Sequence, residues 1–322
     1  MKKPGGTRSS SGKHISLLGV PVDTGASQRG PVMAPTALRI AGIGETLTNL
    51  GCIVEDCGDL SPVEVSGLKT PYPVLKDLEA ASGWARRIMP IAKQKLDAGS
   101  LPLWLGGDHS LALGTVPGAA AHAKAVGRRQ FVLWLDAHPD FNTFETTTSG
   151  NIHGVPVAYF CGLPGFDALL GEPLHATVDP ADVCMLGIRS VDGREHDLLR
   201  EYDVRVHDMR QIDEHGVVRL LKPFLQKVAD ANGMLHVSLD VDFIDPDIAP
   251  GVGTTVPGGA TFREAHLVME LLHESGLMTS LDIVELNPFL DNRGRTAQLM
   301  VDLVGSLFGR KVMDRLTPLK WN

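Results

Sequence analysis

Short apolar runs that alternate with amphipathic stretches constrain the fold of this 322-residue chain more than any other feature. Several runs are apolar at consecutive positions, a pattern typical of strands that helices cover on both faces of a parallel sheet. The six runs are HISLLGV (14–20), LPLWLGG (101–107), FVLWLDA (131–137), VCMLGIR (183–189), HVSLDVD (236–242) and LMTSLDIVEL (277–286). Helical stretches lie between them at about 34–50, 80–98, 110–125, 216–231, 261–275 and 295–308. This alternation of strand and helix predicts an α/β protein.

The chain has no internal linker, repeat or change of composition that would divide it, so we expect one domain over residues 14–309. Residues 1–13 are basic and rich in Gly and Ser, which predicts a flexible tail. The apolar run after this tail is short and is broken by Gly19 and Pro21, so it does not resemble a signal peptide. Residues 310–322 are expected to form only a helix end and a C-terminal tail.

Composition and charge argue against several kinds of partner. A formal net charge of −8 leaves no broad basic field for nucleic acid or anionic lipid, and an aromatic content of 5% disfavours base stacking. No apolar stretch reaches about 18 residues, the length that a membrane span needs. The four cysteines (Cys52, Cys57, Cys161 and Cys184) form no CxxC pair, which is typical of reduced thiols and favours the cytoplasm.

Charged residues follow four of the predicted strands, at the point where each strand ends. The segments are Gly106-Gly107-Asp108-His109, Asp136-Ala137-His138-Pro139-Asp140, Asp240-Val241-Asp242 and Asp282-Ile283-Val284-Glu285. A charge at the end of a buried strand is costly to desolvate unless it is paired or binds a cation. The carboxyl ends of parallel strands meet at one edge of the sheet, so a shared metal site is a common cause for all four segments.

The spacing of these residues predicts a site for two metal ions. Residues i and i+2 of extended backbone point to the same side, so Asp136 pairs with His138 and Asp240 with Asp242. With His109 and Asp140 the set has two imidazoles and four carboxylates, enough for two divalent ions if Asp136 and Asp240 bridge them. One DxH or DxD alone would suit a helix cap or a turn equally well.

The chemistry of the donors narrows the metal and the reaction. Carboxylate oxygens with a minority of imidazole nitrogens and no thiolate favour Mn²⁺, followed by Fe²⁺ or Co²⁺. Two ions roughly 3.5–4 Å apart can hold a bridging water as hydroxide at neutral pH, which predicts metal-assisted hydrolysis. Because the ligand count is complete without them, Asp108 and Asp245 are interpreted as turn or supporting residues and Asp282 as structural.

Four motifs in this order resemble the signatures of the ureohydrolase family, and within it those of the arginases. They are GGDHS (106–110), DAHPDFNT (136–143), SGNIHG (149–154) and SLDVDFIDP (238–246), and the resemblance extends from about Ile15 to Gly309. It implies a three-layer α/β/α catalytic domain with a mainly parallel sheet of about eight strands. It also implies two Mn²⁺ ions per chain, hydrolysis of L-arginine to L-ornithine and urea by a metal-bridging hydroxide, and a homo-oligomer that is a trimer or a hexamer.

The resemblance also implies a role for individual residues. One metal would be held by His109, Asp136, Asp140 and Asp240, and the other by Asp136, His138, Asp240 and Asp242. Glu285 would bind the substrate guanidinium, and His153 would shuttle protons. Asn142, Ser149 and Asn151 would contact the α-carboxylate of arginine, Asp192 would contact its α-amino group, and Thr254 would lie near the metals.

Two alternative functions remain open at this point. The same metal pair would serve a hydrolase of another guanidino compound, such as agmatine or guanidinobutyrate. Asn142, Ser149 and Asn151 favour arginine, because a substrate without an α-carboxylate would not need them. The second alternative is a catalytically inactive, metal-binding oligomer subunit, which the presence of every proposed ligand together with His153 and Glu285 disfavours.

Overall fold

Eight strands form one sheet in the computed structural model, which describes residues 12–311. The strands are β1 (His14–Val20), β2 (Ile53–Asp59), β3 (Leu101–Gly106), β4 (Gln130–Leu135), β5 (Val183–Ile188), β6 (Arg205–Asp208), β7 (Met234–Asp240) and β8 (Met278–Val284). Their order across the sheet is β2-β1-β3-β8-β7-β4-β5-β6. All neighbouring strands are parallel, which confirms the predicted fold class.

Helices cover both faces of this sheet. In the described part of the chain they are α1 (Ala34–Ile40), α2 (Ile43–Asn49), α3 (Leu78–Asp97), α4 (Ala112–Ala125), α5 (Pro156–Phe160), α6 (Asp167–Leu170), α7 (Gly193–Glu201), α8 (Met209–His215), α9 (Val217–Asp230), α10 (Phe262–Ser275) and α11 (Arg295–Leu307). Side chains alternate across each strand, so Leu103 and Leu105 pack in the core with α1, α2 and α8 to α11. Trp104 and Trp134 lie in the cores that include α3, α4, α5 and α7.

The sequence prediction located the interior of the sheet better than its edges. All six predicted strands are present, and the two strands that it missed, β2 and β6, lie at the two edges. The helix predicted at 34–50 is two helices, α1 and α2, which meet at Gly42 with a left-handed φ of 89°. Glycine adopts this conformation at little cost and ends a helix there.

Four central strands bring their carboxyl ends together. In the order β3-β8-β7-β4, Leu105 pairs with Ile283, Ile283 with Leu239, and Leu239 with Leu135. The segments that follow these paired residues therefore leave the sheet side by side. Three of the four charged segments singled out in the sequence begin here, and the fourth, which begins at Asp282 within β8, ends here at Glu285.

The remaining structural predictions concern the ends of the chain, the membrane and the cysteines. Residues 1–11 of the predicted tail and 312–322 of the predicted C-terminal segment lie outside the described residues. Over 12–311, no helix combines the length and the apolar character that crossing a membrane would require. All four cysteines are free thiols.

Candidate metal centre

Two overlapping clusters of imidazole and carboxylate groups lie at the carboxyl ends of the central strands. His109, Asp136 and Asp140 form the first cluster, and Asp136, His138 and Asp242 form the second. Within each cluster one ligand atom of every residue lies within 4.8 Å of the others, and Asp136 belongs to both. Each cluster is therefore able to hold one metal ion.

The first cluster has three carboxylates around one imidazole nitrogen. His109 Nδ1 lies 3.0 Å from Asp136 Oδ2, 3.2 Å from Asp140 Oδ2 and 3.1 Å from Asp240 Oδ2. Asp240, which the sequence predicts as a ligand, therefore lies next to this cluster. Although these atoms are buried, neither His109 Nδ1 nor Asp136 Oδ2 has a hydrogen-bond partner. Buried polar atoms are rarely left unpaired, and a cation between them would satisfy both, so the donor set fits a divalent metal.

Two contacts hold the His109 ring in place. Its Nε2 lies 2.8 Å from the hydroxyl oxygen of Ser238, and its plane is stacked on Trp134 with ring centroids 4.0 Å apart. The contact on Nε2 leaves Nδ1 facing the carboxylates, as a metal-ligating histidine requires. The sequence analysis missed Ser238, although it lies two residues before Asp240 on β7, and that spacing places both side chains on one face of the sheet.

The second cluster is closer to solvent. His138 Nδ1 lies 3.1 Å from Asp242 Oδ2 and 3.5 Å from Asp136 Oδ1, and the His138 side chain is 27% exposed. Asp242 is fixed from two sides, because its Oδ1 accepts the backbone N–H of Ala137 at 2.9 Å and its Oδ2 accepts the hydroxyl of Thr254 at 3.1 Å. Thr254 therefore lies beside the second cluster.

Two carboxylates of the site are attached to unusual backbone. Asp140 has φ of 48° and Glu285 has φ of 65°, both in the left-handed region that residues other than glycine rarely adopt. Neighbouring groups stabilise these conformations: Glu285 N–H donates to the carbonyl of Gly107 at 2.8 Å, and Phe141 N–H donates to the carboxylate of Glu195 at 2.8 Å. Such strain persists where the surroundings enforce it, most often at functional sites.

The buried carboxylates repel one another in the absence of a cation. Burial, together with the charges of Asp242 and Asp136, raises the pKa of Asp240 well above its usual range. Burial and the charge of Asp136 raise the pKa of Asp140 to about 6. For Asp136 burial acts in the same direction, but the imidazoles of His109 and His138 outweigh it and lower its pKa. Divalent cations placed here would relieve this repulsion.

Glu285 and His153 form a buried pair next to the first cluster. Glu285 Oε1 accepts the backbone N–H of His109 at 2.8 Å and lies 2.8 Å from His153 Nδ1. Burial lowers the pKa of His153, but the charge of Glu285 and its hydrogen bond outweigh this effect and raise that pKa to about 9. The imidazole of His153 is therefore protonated at neutral pH in the absence of metal.

A cavity opens above the two clusters. Of the predicted substrate-binding residues, Asn142, Ser149, Asp192 and Thr254 line it, as do His153 and Glu285. Asn151 is not among the lining residues. Its side-chain oxygen instead accepts hydrogen bonds from Ser27 and Lys76 beside the cavity.

Thr147 and Glu195 also line the cavity and were missed from the sequence. Glu195 accepts the backbone N–H groups of Phe141 and Asp192, which connects the start of α7 to the loop after Asp140. Burial and the nearby charge of Asp140 raise the pKa of Glu195 to about 8. An acidic residue three positions after a capping Asp is a helix-start signal, so the sequence Asp192-x-x-Glu195 could have revealed this contact.

The three acidic residues that the sequence analysis left out of the metal site contact groups outside the two clusters. Asp108 accepts backbone N–H groups of Gly25 and Ala26, and Asp245 accepts those of Gly258 and Gly259. Asp282 is fully buried below the site. Its Oδ2 lies 3.0 Å from His236 Nε2 and accepts the hydroxyl of Thr115 at 2.7 Å.

A parallel α/β sheet with overlapping His and Asp clusters at the ends of its central strands is the architecture of a metal-dependent hydrolase. Comparison with known proteins defines the family: the model of the Arginase family matches residues 13–309, and the chain belongs to this family of metal-dependent amidinohydrolases. The chain is 57% identical to the arginase of Brucella melitensis over 304 residues, which cover 94% of this chain and 99% of that protein.

Solved structures give the same result. The native structure of the arginase from Bacillus caldovelox has a TM-score of 0.85 at 40% identity and covers 94% of this chain and 100% of its own. The arginase of Entamoeba histolytica, solved in complex with L-ornithine, has a TM-score of 0.82 at 27% identity, with coverage of 93% and 99%. The fold and the enzyme class predicted from the sequence are thereby confirmed.

Proposed function

We propose that this protein hydrolyses L-arginine to L-ornithine and urea with two Mn²⁺ ions. The observation that carries the proposal is the pair of overlapping clusters sharing Asp136 at the base of a cavity that Glu285 and His153 also line. Relatives named arginase at high identity support the choice of arginine as substrate.

Six residues would hold the two ions. His109, Asp136, Asp140 and Asp240 would bind one, and Asp136, His138, Asp240 and Asp242 the other. The unpaired His109 Nδ1 and Asp136 Oδ2 support this assignment, and the predominance of oxygen donors favours Mn²⁺ over Fe²⁺ or Co²⁺. When bound, a pair of such ions lowers the pKa of water enough to supply hydroxide near neutral pH.

Glu285 would bind and orient the guanidinium group. Its side chain is buried, and a carboxylate can pair with a planar cation through charge-assisted hydrogen bonds. The backbone N–H of His109 holds Oε1, so the carboxylate is positioned before the substrate arrives. Fixing the guanidinium carbon beside the metal clusters matters because that carbon is a poor electrophile and depends on exact placement.

His153 would deliver a proton to the leaving amine of ornithine. In the metal-free protein its pKa is raised to about 9, mainly by Glu285, and this carboxylate favours the protonated imidazole that a general acid needs. Nδ1 is held by Glu285, which leaves Nε2 as the nitrogen that can give up the proton.

The amino-acid end of the substrate would lie among polar groups at the other side of the cavity. Asn142, Ser149 and Asn151 would donate hydrogen bonds to the α-carboxylate, and Asp192 would accept from the α-amino group. Asp192 and Asn142 lie close together, with 3.5 Å between Oδ2 and Nδ2, so one wall offers both a donor and an acceptor. Thr254 would act through Asp242, whose carboxylate it contacts.

The decisive experiment compares L-arginine with agmatine after loading the purified protein with Mn²⁺. We expect urea release with a kcat/KM at least about tenfold higher for arginine, since only arginine has the α-carboxylate. Faster turnover of agmatine would contradict the proposed substrate. Two bound ions per chain without urea release from either compound would instead indicate an inactive subunit. Asp136→Ala serves as the metal-depleted control.

The assembly and the compartment remain part of this proposal. The resemblance of the motifs predicts a homotrimer or a homohexamer, which light scattering of the Mn²⁺-loaded protein distinguishes from a monomer. The free cysteines favour the cytoplasm.

A further inference from the structure

Three segments meet around the side chain of Asn151, next to the cavity. Asn151 Oδ1 accepts a hydrogen bond from Lys76 Nζ at 2.9 Å and another from the hydroxyl of Ser27 at 2.9 Å. Lys76 Nζ also lies 3.2 Å from the Ser27 hydroxyl, so the three polar groups form a closed triangle. The three segments come from distant parts of the chain.

The backbone holds this triangle in place. Lys76 N–H donates to the carbonyl of Gly150 at 3.0 Å, and Asn151 N–H donates to the hydroxyl of Ser149 at 3.2 Å. Gly150 has φ of +71°, and a Cβ atom on it would lie 1.8 Å from the carbonyl oxygen of Val74. Lys76 is therefore anchored against the loop that contains Ser149 and Asn151.

The chemistry of lysine dictates how Asn151 is oriented. An ammonium group has donors only, so the amide of Asn151 must turn its oxygen toward Lys76. The oxygen receives two hydrogen bonds, and the Nδ2 group, which carries two donors, remains for another partner. A substrate carboxylate only accepts hydrogen bonds, so these two N–H donors of Asn151 suit it.

The charge of Lys76 matters as well as its hydrogen bond. The cavity lining has six carboxyl groups, those of Asp136, Asp140, Asp192, Glu195, Asp240 and Glu285. No Lys or Arg is among the described residues that line it. A cation beside the binding position therefore favours an anionic substrate group there.

We propose that Lys76 is a positioning residue that selects substrates with an α-carboxylate, by orienting the Asn151 amide and by placing a positive charge behind it. This inference rests on the proposed function, and it adds a residue outside the cavity lining to those that determine substrate specificity. Lys76 acts through Asn151 and does not itself take part in the chemistry.

The test compares Lys76→Met, Lys76→Arg and Lys69→Met in the full-length, Mn²⁺-loaded protein. Lys69 is an exposed lysine of the same connection and serves as the matched control. For Lys76→Met we expect KM for L-arginine and Ki for L-ornithine to rise about two- to fivefold, the range of one exposed charged contact, with kcat nearly unchanged. KM for agmatine and Ki for putrescine, which lack a carboxylate, should not change.

The other variants separate a specific effect from a general one. Lys76→Arg, which keeps the charge and the donors, should recover most of the affinity, and Lys69→Met should behave as the wild type. An unchanged KM for arginine in Lys76→Met, or equal increases for arginine and agmatine, would overturn the inference. Preference of the wild-type protein for agmatine would instead overturn the proposed function, so the two failures are distinguishable.

Discussion

The ring of His153 shares a 2.8 Å hydrogen bond with the carboxylate of Glu285, although the two residues are 132 positions apart in the chain. Glu285 also holds the backbone N–H of His109, so one carboxylate connects the loop of SGNIHG, the end of β3 and the end of β8. Proton transfer and guanidinium binding, the two roles proposed for this pair, therefore depend on each other.

The first prediction concerns this pair in the metal-free protein. The charge and the hydrogen bond of Glu285 are the main causes that raise the pKa of His153, so Glu285→Gln should lower its titration midpoint from about 9. Because the folded-state pKa of His153 is raised, the stability that its protonation contributes is lost as pH rises from about 6.5 through about 9. Because the pKa of Glu285 is lowered, the pair also loses stability in acid, as that carboxylate is protonated. NMR titration of the imidazole nitrogens measures the midpoint, with Glu145→Gln, an exposed carboxylate of the same loop, as the control. Equal midpoints in wild type and Glu285→Gln would contradict the assignment.

The second prediction is that Asp240→Asn has opposite effects with and without metal. Asparagine keeps an oxygen for the Asp242 N–H but removes a buried charge whose pKa is raised, so the metal-free protein should gain about 1–2 kcal/mol of unfolding free energy at pH 8. For the same reason, this carboxylate makes the metal-free wild type less stable as pH rises above about 4.

Stabilisation of Asp240→Asn by added Mn²⁺ should be much smaller than that of the wild type, because a proposed bridging ligand is lost. Denaturant unfolding with and without Mn²⁺ measures both quantities. Asp247→Asn, at an exposed position of the following turn, should match the wild type in each. A metal-free Asp240→Asn protein less stable than the wild type would refute the role of charge repulsion.

The third prediction separates two serines on neighbouring strands. Ser238 contacts the Nε2 of His109, whereas Ser280 contacts the Nδ1 of His236 below the site. Ser238→Ala should weaken metal binding about 10- to 100-fold, the usual cost of losing the partner of a metal-ligating histidine. Ser280→Ala should leave metal affinity within about twofold and affect only stability. Metal titration by calorimetry measures the metal affinity of each variant. Equal metal affinities of Ser238→Ala and Ser280→Ala would disprove the orienting role of Ser238.

The fourth prediction concerns the tight contact of Gly150. Alanine at Gly127, with φ of +68° and open space around it, should cost about 1 kcal/mol for the left-handed conformation alone. Alanine at Gly150 adds a clash with the backbone of Val74, so we expect it to cost at least about 2 kcal/mol more and to raise KM for arginine. Thermal unfolding measures the loss of stability in both variants, and steady-state kinetics measures KM for arginine. Similar losses of stability would show that the Gly150 loop moves away from Val74 without cost.

The sequence predicted the parts of the fold that burial determines. The interior strands are continuous apolar runs, whereas β2 contains Glu55, Asp56 and Asp59 and β6 has only four residues, because an edge strand needs fewer apolar side chains. Helix α7 was missed because its sequence, GREHDLLRE, is mostly polar. Glu195 was missed with it, and the capping pattern Asp192-x-x-Glu195 is the signal that could have indicated both.

The proposed ligands were accessible to sequence reasoning because they follow strand ends at regular spacing. Their partners were not, because contacts such as Lys76 with Asn151 join loops 75 positions apart. The left-handed backbone of Asp140 and Glu285 gives no clear signal either, since Asp adopts it only occasionally and Glu rarely. The roles of the individual site residues remain predictions that the experiments above test.

The order β3-β8-β7-β4 has a consequence for synthesis on the ribosome. The strands that precede His109 and Asp136 emerge early, but the two that must lie between them are the last to be made. A nascent chain cannot close the middle of the sheet until residue 284 has left the exit tunnel, and until then its acidic segments have no fixed neighbours. We therefore expect translation products that end before residue 284 to bind metal weakly.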